Sequence, residues 1–158
     1  MQLVLSVGPV VDPKQVRFLP ATAIIVHCAP QLELLKRSAL CITHAGLNTT
    51  LESLTQGVPM VAIPITNDQP GVAARIAHTK TGAFVPLNEM TASRLSALID
   101  EVLSNPEYRR NARRMGQAIA QTNGLERAVD ILEQAFDLQS SAKHGGMAQA
   151  LESVHDRH

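Results

Sequence analysis

Short apolar runs alternate along the first half of the chain with segments whose apolar residues recur at helical spacing. Five of these runs have the length and the β-branched content of buried strands: residues 3–7, 22–27, 40–43, 58–63 and 83–86. Their apolar residues are continuous and do not alternate with polar ones, which is typical of a parallel sheet covered by helices on both faces. The pattern therefore predicts an α/β fold with a Rossmann-like, doubly wound parallel sheet.

Helical segments separate the strands and follow the last one. They are predicted over residues 32–39, 47–56, 70–78, 91–103, 106–122 and 125–138. Thr91 is placed to cap the first helix after the sheet. Because no strand is predicted after residue 86, the sheet should be followed by C-terminal helices. We expect one domain over residues 1–138 and a tail over residues 139–158 that is disordered or loosely helical.

The composition of the 158 residues fits a single globular domain and excludes several classes of protein. The 14 Lys and Arg residues balance 14 Asp and Glu residues, so the chain lacks the basic excess of a nucleic-acid or membrane-surface binder. No apolar run is long enough to span a membrane, and the N-terminus lacks the basic segment of a signal peptide. Cys28 and Cys41 have neither a disulfide framework nor metal-ligand spacing, so we expect two buried thiols in a cytoplasmic protein.

The most informative segment is the loop that follows the third strand and begins the next helix, Thr-His-Ala-Gly-Leu-Asn-Thr-Thr-Leu-Glu at residues 43–52. Ligands of doubly wound sheets bind at the carboxyl ends of the strands, where a helix N-terminus attracts phosphate through its free N–H groups. Gly46 permits close approach of an anion to the backbone, while Asn48 and Thr49 add side-chain donors. His44, at the end of the strand, can donate to a phosphate oxygen.

The same residues also have a purely structural explanation. Thr49 and Glu52 have the spacing of a capping box, in which two side chains bond backbone amides at the start of a helix. His44 can equally be a hydrogen-bonded structural residue. If Glu52 does not cap the helix, its carboxylate can accept two hydrogen bonds from the vicinal hydroxyls of a ribose.

Two further loops between a strand and a helix are predicted at the same edge of the sheet. Asp68 and Gln69 follow the fourth strand and offer donors and acceptors for sugar hydroxyls, although both can also cap the helix that begins at Pro70. Cys28 and the Ala-Pro-Gln segment at 29–31 follow the second strand. The three loops together predict one ligand-binding crevice.

Several familiar site patterns are missing from the sequence. Neither the Walker-type nor the dinucleotide glycine fingerprint occurs, and no cluster of His, Cys and Asp has metal-ligand spacing. There is also no Asp-x-Asp pair that would hold a divalent cation on a diphosphate. We therefore expect no metal and no resident cofactor, with phosphate charge met by the helix dipole, the backbone and His44.

The three loops resemble the nucleotide-sugar signature of UDP-glycosyltransferases. The matching segments are Ala-Pro-Gln at 29–31, residues 43–54, Gly-Val-Pro-Met-Val at 57–61 and Asp-Gln at 68–69. Within that family they are most similar to bacterial zeaxanthin glucosyltransferases and less so to macrolide glycosyltransferases. The resemblance implies the GT-B fold, in which two Rossmann-like domains face each other across a cleft, and it identifies residues 1–138 as the C-terminal, donor-binding half.

The resemblance implies an inverting, metal-independent transfer of a hexose, expected to be glucose, from UDP-sugar to a hydroxyl of a small lipophilic acceptor. It implies that His44, Asn48 and Thr49 hold the diphosphate, with Gly46 allowing its close approach. UDP-sugar is therefore the expected donor substrate.

The resemblance also assigns the remaining parts of the donor. Glu52 and Gln31 would hold the ribose, and Ala29 would contact uracil through its backbone. Asp68 and Gln69 would bind the transferred sugar. These assignments rest on the family motif.

The chain departs from the family pattern in two ways. An aromatic residue that stacks on uracil usually stands where this sequence has Cys28. The family's general base and acceptor pocket lie in an N-terminal domain to which nothing in this sequence corresponds. We therefore assign no catalytic residue, expect the isolated chain to be inactive, and expect an N-terminal acceptor-binding domain or chain as its partner.

Three other functions are compatible with the sequence. The chain can be the nucleotide-sugar-binding subunit of a two-chain glycosyltransferase. It can be a non-catalytic relic domain that binds UDP-sugar weakly or not at all. A sugar-nucleotide epimerase of the same fold is the third alternative.

Overall fold

The computed structural model describes residues 2–17 and 19–136, and it has the predicted order of strands and helices. Within this part of the chain the strands are β1 (Val4–Ser6), β2 (Ile24–Val26), β3 (Cys41–Thr43), β4 (Met60–Ala62) and β5 (Gly82–Phe84). The α-helices are α1 (Gln31–Leu35), α2 (Leu47–Thr55), α3 (Gln69–His78), α4 (Ala92–Ser104), α5 (Pro106–Gln121) and α6 (Gly124–Ala135). Short 3-10 helices at Pro13–Gln15 and Leu87–Glu89 follow β1 and β5.

All paired strands are parallel, as the continuous apolar runs predicted. β1 pairs with β2, and β4 lies between β3 and β5 in a separate three-stranded sheet. The hydrogen bonds thus form two parallel sheets where the sequence suggested one. The predicted α/β class, with parallel strands joined by helices, is confirmed.

The core lies around β4, whose three residues are all buried: β3 and β5 flank it within the sheet, and α3 and α4 pack against it. Helices α3, α4 and α5 and the residues next to β4 and β5 complete it. The buried apolar residues of this region are Val58, Met60, Val61, Ala62, Ala73, Ile76, Val85, Val102 and Ala112. Since both faces of β4 are covered, its sequence is apolar without alternation.

Helix α4 begins at the predicted cap. The Thr91 hydroxyl accepts a hydrogen bond from the N–H of Arg94 at 3.2 Å. Helices α4 and α5 are joined by the hydroxyl of Tyr108, which donates to the carboxylate of Glu101. This bond stabilises the protonated phenol and raises the pKa of Tyr108 to about 12.

Contacts divide the chain into two units, residues 1–118 and residues 119–158. The first unit contains the two sheets and α1–α4. In the second, α6 follows Asn123, whose backbone is left-handed with φ of 44°. The predicted tail and the boundary at residue 138 lie outside the described residues, so this domain division stays a prediction. Among the helices of the described part, none is long and apolar enough to cross a membrane.

The contact between α2 and α5 requires a glycine at position 116. A Cβ on Gly116 would collide with the main-chain oxygen of Leu54. We predict that Gly116→Ala lowers the free energy of unfolding by about 1–3 kcal/mol, because relief requires a shift of a whole helix. Urea denaturation measures the change.

Gly71→Ala in α3 is the matched control. A Cβ on Gly71 meets no atom within 4 Å. The free energy of unfolding should therefore stay the same or rise by up to ~1 kcal/mol, since alanine favours helix over glycine. A Gly116→Ala variant as stable as the Gly71→Ala variant would contradict the described packing.

Candidate functional site

The candidate residues after β3 and β4 lie at the carboxyl edge of the β3–β4–β5 sheet, whereas Ala29 and Gln31 follow β2 of the other sheet. β3 and β4 pair with Thr43 opposite Ala62, and the N–H of Ile63 donates to the carbonyl of Thr43 at 2.8 Å. This register makes the loops after β3 and β4 leave the sheet at the same level. His44 and the loop that leads to Asp68 therefore start from neighbouring points of one edge.

The turn between β3 and α2 is tight because Ala45 adopts a left-handed backbone with φ of 67°. Its N–H donates to the hydroxyl of Thr43 at 3.2 Å, and its side chain is fully buried. A left-handed conformation costs roughly 1–2 kcal/mol in a residue with a Cβ, so this bond and the burial hold Ala45 in place. Helix α2 then begins at Leu47, with Gly46 as its N-cap.

The imidazole of His44 covers Gly46. The His44 side chain is exposed, and a Cβ on residue 46 would lie 2.5 Å from its Nε2 atom. Gly46 has φ of −61°, which any residue adopts, so glycine is needed here for space. The imidazole therefore lies at the N-terminus of α2, while its part in binding stays a prediction.

The capping-box alternative is wrong. Gly46 is the N-cap, which puts Thr49 at the third helical position and Glu52 in the second turn. No side chain of the described residues caps this helix end, so the amides of Leu47, Asn48 and Thr49 lack a capping partner. The side chain of Asn48 is exposed beside them. Uncapped amides and the helix dipole together give this end the properties of an anion site.

Gln31 connects the loop after β2 to α2. Its Nε2 donates to Oε2 of Glu52 at 2.5 Å and to Oγ1 of Thr49 at 3.3 Å. The fold thus brings Gln31 to two candidate residues of α2 that lie 18 and 21 positions away in the sequence. A carboxylate has more acceptor sites than one donor fills, so Glu52, which is half-buried, retains capacity for a ligand.

The expectation of two buried thiols is wrong for Cys28. Cys28 is exposed, because it lies in the loop where the chain has left β2, whereas Cys41 in β3 is half-buried. Both thiols are free. Burial raises the pKa of the Cys41 thiol. Ala29, next to Cys28, is half-buried.

Asp68 and Gln69 differ in their contacts. The Oε1 atom of Gln69 accepts the N–H of Ile65 at 2.8 Å and that of Thr66 at 3.0 Å, so this side chain closes the loop before α3. Asp68 is the N-cap of α3 by position, yet its exposed carboxylate makes no capping bond. The capping alternative is therefore wrong for both residues: Gln69 bonds amides of the preceding loop, and the Asp68 carboxylate caps nothing.

Three residues that shape the site were missed in the sequence. Thr43 was assigned only to a strand, although its hydroxyl fixes the turn. Ala45 gives no signal, since alanine rarely adopts a left-handed backbone. Asn67, with φ of 56°, could have been anticipated, because asparagine enters that region more readily than most residues.

The candidate residues offer both hydrogen-bond donors and hydrogen-bond acceptors. The donors are the first amides of α2 and the imidazole of His44, and the acceptors are the carboxylates of Glu52 and Asp68. Within residues 2–17 and 19–136, no group of three or more His, Cys, Asp and Glu side chains is placed to hold a metal ion. Such a set suits a ligand that carries both an anionic group and hydroxyls.

Comparison with known proteins points to the same chemistry. Residues 10–144 match the family model described as UDP-glucoronosyl and UDP-glucosyl transferase. The chain is 34% identical to the NDP-glycosyltransferase YjiC of Bacillus subtilis over 132 residues, which are 84% of this chain and 34% of the relative. It is 32% identical to the zeaxanthin glucosyltransferase of Pantoea ananas over 112 residues, 71% of this chain and 26% of the relative. The chain thus spans about a third of the length of the first of these relatives.

Solved structures give the fold. The glycotransferase of kitacinnamycin superposes with a TM-score of 0.77 at 30% identity, covering 84% of this chain and 34% of that one. Os79 from O. sativa, solved with UDP and deoxynivalenol-3-glucoside, superposes with a TM-score of 0.58 at 32% identity, covering 61% and 24%. The chain corresponds to part of GT-B glycosyltransferases, which confirms the predicted fold.

We predict that Gly46→Ala displaces the imidazole of His44 without unfolding the protein. The added Cβ takes the place of the ring, which can rotate away because its side chain is exposed. In NMR spectra the ring signals of His44 should shift clearly more than those of His27 and His78. Gly71→Ala is the control, and unchanged His44 signals in the Gly46→Ala protein would refute the contact.

Proposed function

Because the chain belongs to the UDP-glucoronosyl and UDP-glucosyl transferase family, we propose that it is the donor-binding part of a glycosyltransferase that uses a UDP-sugar. The transferred sugar is a hexose, with glucose expected, and the acceptor is a hydroxyl of a small lipophilic molecule. The similarity to a zeaxanthin glucosyltransferase makes a carotenoid one candidate acceptor. The general base belongs to an N-terminal acceptor-binding domain or chain, and the protein acts in the cytoplasm.

The observation that carries this proposal is the imidazole of His44 above the uncapped N-terminus of α2. A diphosphate placed there meets the amides of Leu47, Asn48 and Thr49, the positive end of the helix dipole and the imidazole. Because Gly46 has no side chain, nothing separates the imidazole from the backbone. We assign the diphosphate of the donor to this position.

The bridge between α1 and α2 supports a ribose position beside the diphosphate. Gln31 holds the carboxylate of Glu52 in a fixed orientation through its amide nitrogen. The remaining acceptor sites of this carboxylate match the paired donors of two vicinal hydroxyls. Gln31 therefore orients Glu52, and both contact the ribose. The backbone of Ala29 contacts uracil at the same end, next to the exposed Cys28.

The loop before α3 supports the position of the transferred sugar. The Asp68 carboxylate is exposed and makes no capping bond, and the Gln69 carbonyl oxygen is already occupied by two amides of its own loop. Asp68 therefore accepts from sugar hydroxyls, and the amide nitrogen of Gln69 donates to them.

We propose an inverting transfer in which this chain binds no metal ion. The acceptor oxygen attacks the anomeric carbon opposite the diphosphate and loses its proton to the base outside this chain. The bond between the anomeric carbon and the diphosphate oxygen breaks, and its electron pair stays on UDP. His44 and the amides of α2 stabilise the growing charge, and one such preorganised donor can lower a barrier by about 3 kcal/mol. The chain alone binds the donor without transferring the sugar.

Calorimetric titration with UDP and UDP-glucose separates the phosphate site from the sugar site. We predict that His44→Ala weakens both ligands by about tenfold or more, since a charge-assisted hydrogen bond is lost. Asp68→Ala should weaken only UDP-glucose, because UDP has no sugar to reach that carboxylate. His78→Ala and Asp100→Ala, which change exposed residues of α3 and α4, are the controls.

Two results would count against the proposal. If Asp68→Ala weakened the binding of UDP and of UDP-glucose equally, Asp68 would not contact the transferred sugar. Wild-type chain that gives no heat with either ligand, confirmed by ligand-observed NMR, would favour the relic alternative over donor binding.

A second prediction concerns the ribose. Wild-type protein should prefer UDP over 2′,3′-dideoxy-UDP by about tenfold or more, because the dideoxy ligand leaves the Glu52 carboxylate without its hydroxyl donors. Glu52→Ala should bind the two ligands with nearly equal affinity, whereas Glu33→Ala, on the exposed side of α1, should keep the preference. Full discrimination by Glu52→Ala would exclude Glu52 as the ribose ligand.

A further inference from the structure

A cavity of about 620 Å³ lies at the opposite edge of the β3–β4–β5 sheet. Ala39 and Pro59, which precede β3 and β4, line one side, and the end of α4 and one face of α5 line the other. It is therefore at the amino ends of the strands, whereas the candidate site follows their carboxyl ends. Its volume falls in the range of about 300–1,000 Å³ that small-molecule sites occupy.

Arginines dominate the lining of this cavity. They all belong to α5: Arg109, Arg110, Arg113 and Arg114. Arg109 donates to the carbonyls of Ser38 and Ala39, which fixes it in the wall. The other three form no ion pair with any residue the structure describes, and no acidic residue of that part of the chain lines the cavity.

The arrangement of these arginines follows from helix geometry. Arg110 lies three and four positions before Arg113 and Arg114, so the three share one face of α5. Arg113 is further held by the backbone of Gly57, against which its side chain packs. Guanidinium groups match the geometry of phosphate oxygens, and a concave surface of one sign concentrates the field.

The rest of the lining is mixed, with polar side chains at Ser104, Asn105 and Gln117 and an apolar part. Its accessible apolar residues are the half-buried Leu103 and the exposed Pro106, whereas Pro59 and Val102 are buried. A ligand that fits this lining therefore has an apolar part in addition to its charge. We propose that the cavity binds a small molecule bearing a phosphate or diphosphate group, with the anion on the arginines and the apolar part against the end of α4.

NMR titration of the full 158-residue chain with pyrophosphate tests this site residue by residue. Backbone amides of α5 should shift and saturate. Arg110→Gln/Arg114→Gln should raise the dissociation constant read from these signals at least tenfold, and Arg110→Lys/Arg114→Lys should raise it less, because charge remains without the paired donors. Amides of α2 report the candidate donor site separately, so either site can fail alone.

Arg75→Gln/Arg127→Gln is the matched control, since it removes the same charge from exposed positions outside the cavity. It should change the dissociation constant less than twofold. An equal loss in this control, or α5 signals that do not saturate, would overturn the proposal.

Phenyl phosphate should bind more tightly than inorganic phosphate. Equal affinity would overturn the apolar part, and tighter binding of a single-stranded oligonucleotide at the same amides would overturn the assignment to a small molecule.

Discussion

The left-handed backbone of Ala45 is the constraint on which the candidate site depends. It reverses the chain within two residues of β3, and this reversal aims the N-terminus of α2 at the carboxyl edge of the sheet. The conformation is unfavourable for alanine and persists because the Thr43 hydroxyl bonds its amide and the surrounding core encloses its methyl group. A relaxed turn would separate His44 from Gly46 and turn the free amides away from any ligand at this edge. The strained residue Ala45 thus lies directly beside the groups that it orients, the imidazole of His44 and the first amides of α2.

The central strand β4 could be predicted because burial on both faces leaves a direct record in the sequence, whereas β1 and β2, which are also apolar, contain no buried residue. β4 reads Met-Val-Ala without polar interruption, and all three residues are buried. Burial of loop residues leaves no such record. Cys28 belongs to a residue type that is usually buried, yet it is exposed in the loop after β2. The apolar pattern therefore predicted the parallel strands, whereas residue type alone gave the wrong burial for Cys28.

In the candidate site, too, features set by neighbours along the chain could be predicted, and features set by distant residues are harder to predict. The sequence predicted the loop after β3 and singled out its His44 and Gly46, because these features depend on neighbours along the chain. The bond from Gln31 to Glu52 spans 21 positions, and only the family resemblance, which assigns both residues to the ribose, indicates that they lie close together. The capping box was the simplest local interpretation of the spacing between Thr49 and Glu52. It failed because α2 begins at Leu47 with Gly46 as its N-cap, earlier than the box requires.

The charges at the two edges of the β3–β4–β5 sheet show that the net charge of the chain predicts only some of its binding partners. A balance of 14 basic and 14 acidic residues argues against nucleic acids, which need basic surface extended over many phosphates. It says little about small anions, because these sense only the charges within about one Debye length of roughly 10 Å. Helix α5 carries four arginines and one glutamate, and that glutamate pairs with Lys80. At the other edge the positive charge is a helix terminus, which no count of side chains includes. A neutral chain can therefore present two local anion-attracting surfaces, each set by where the fold places its charges.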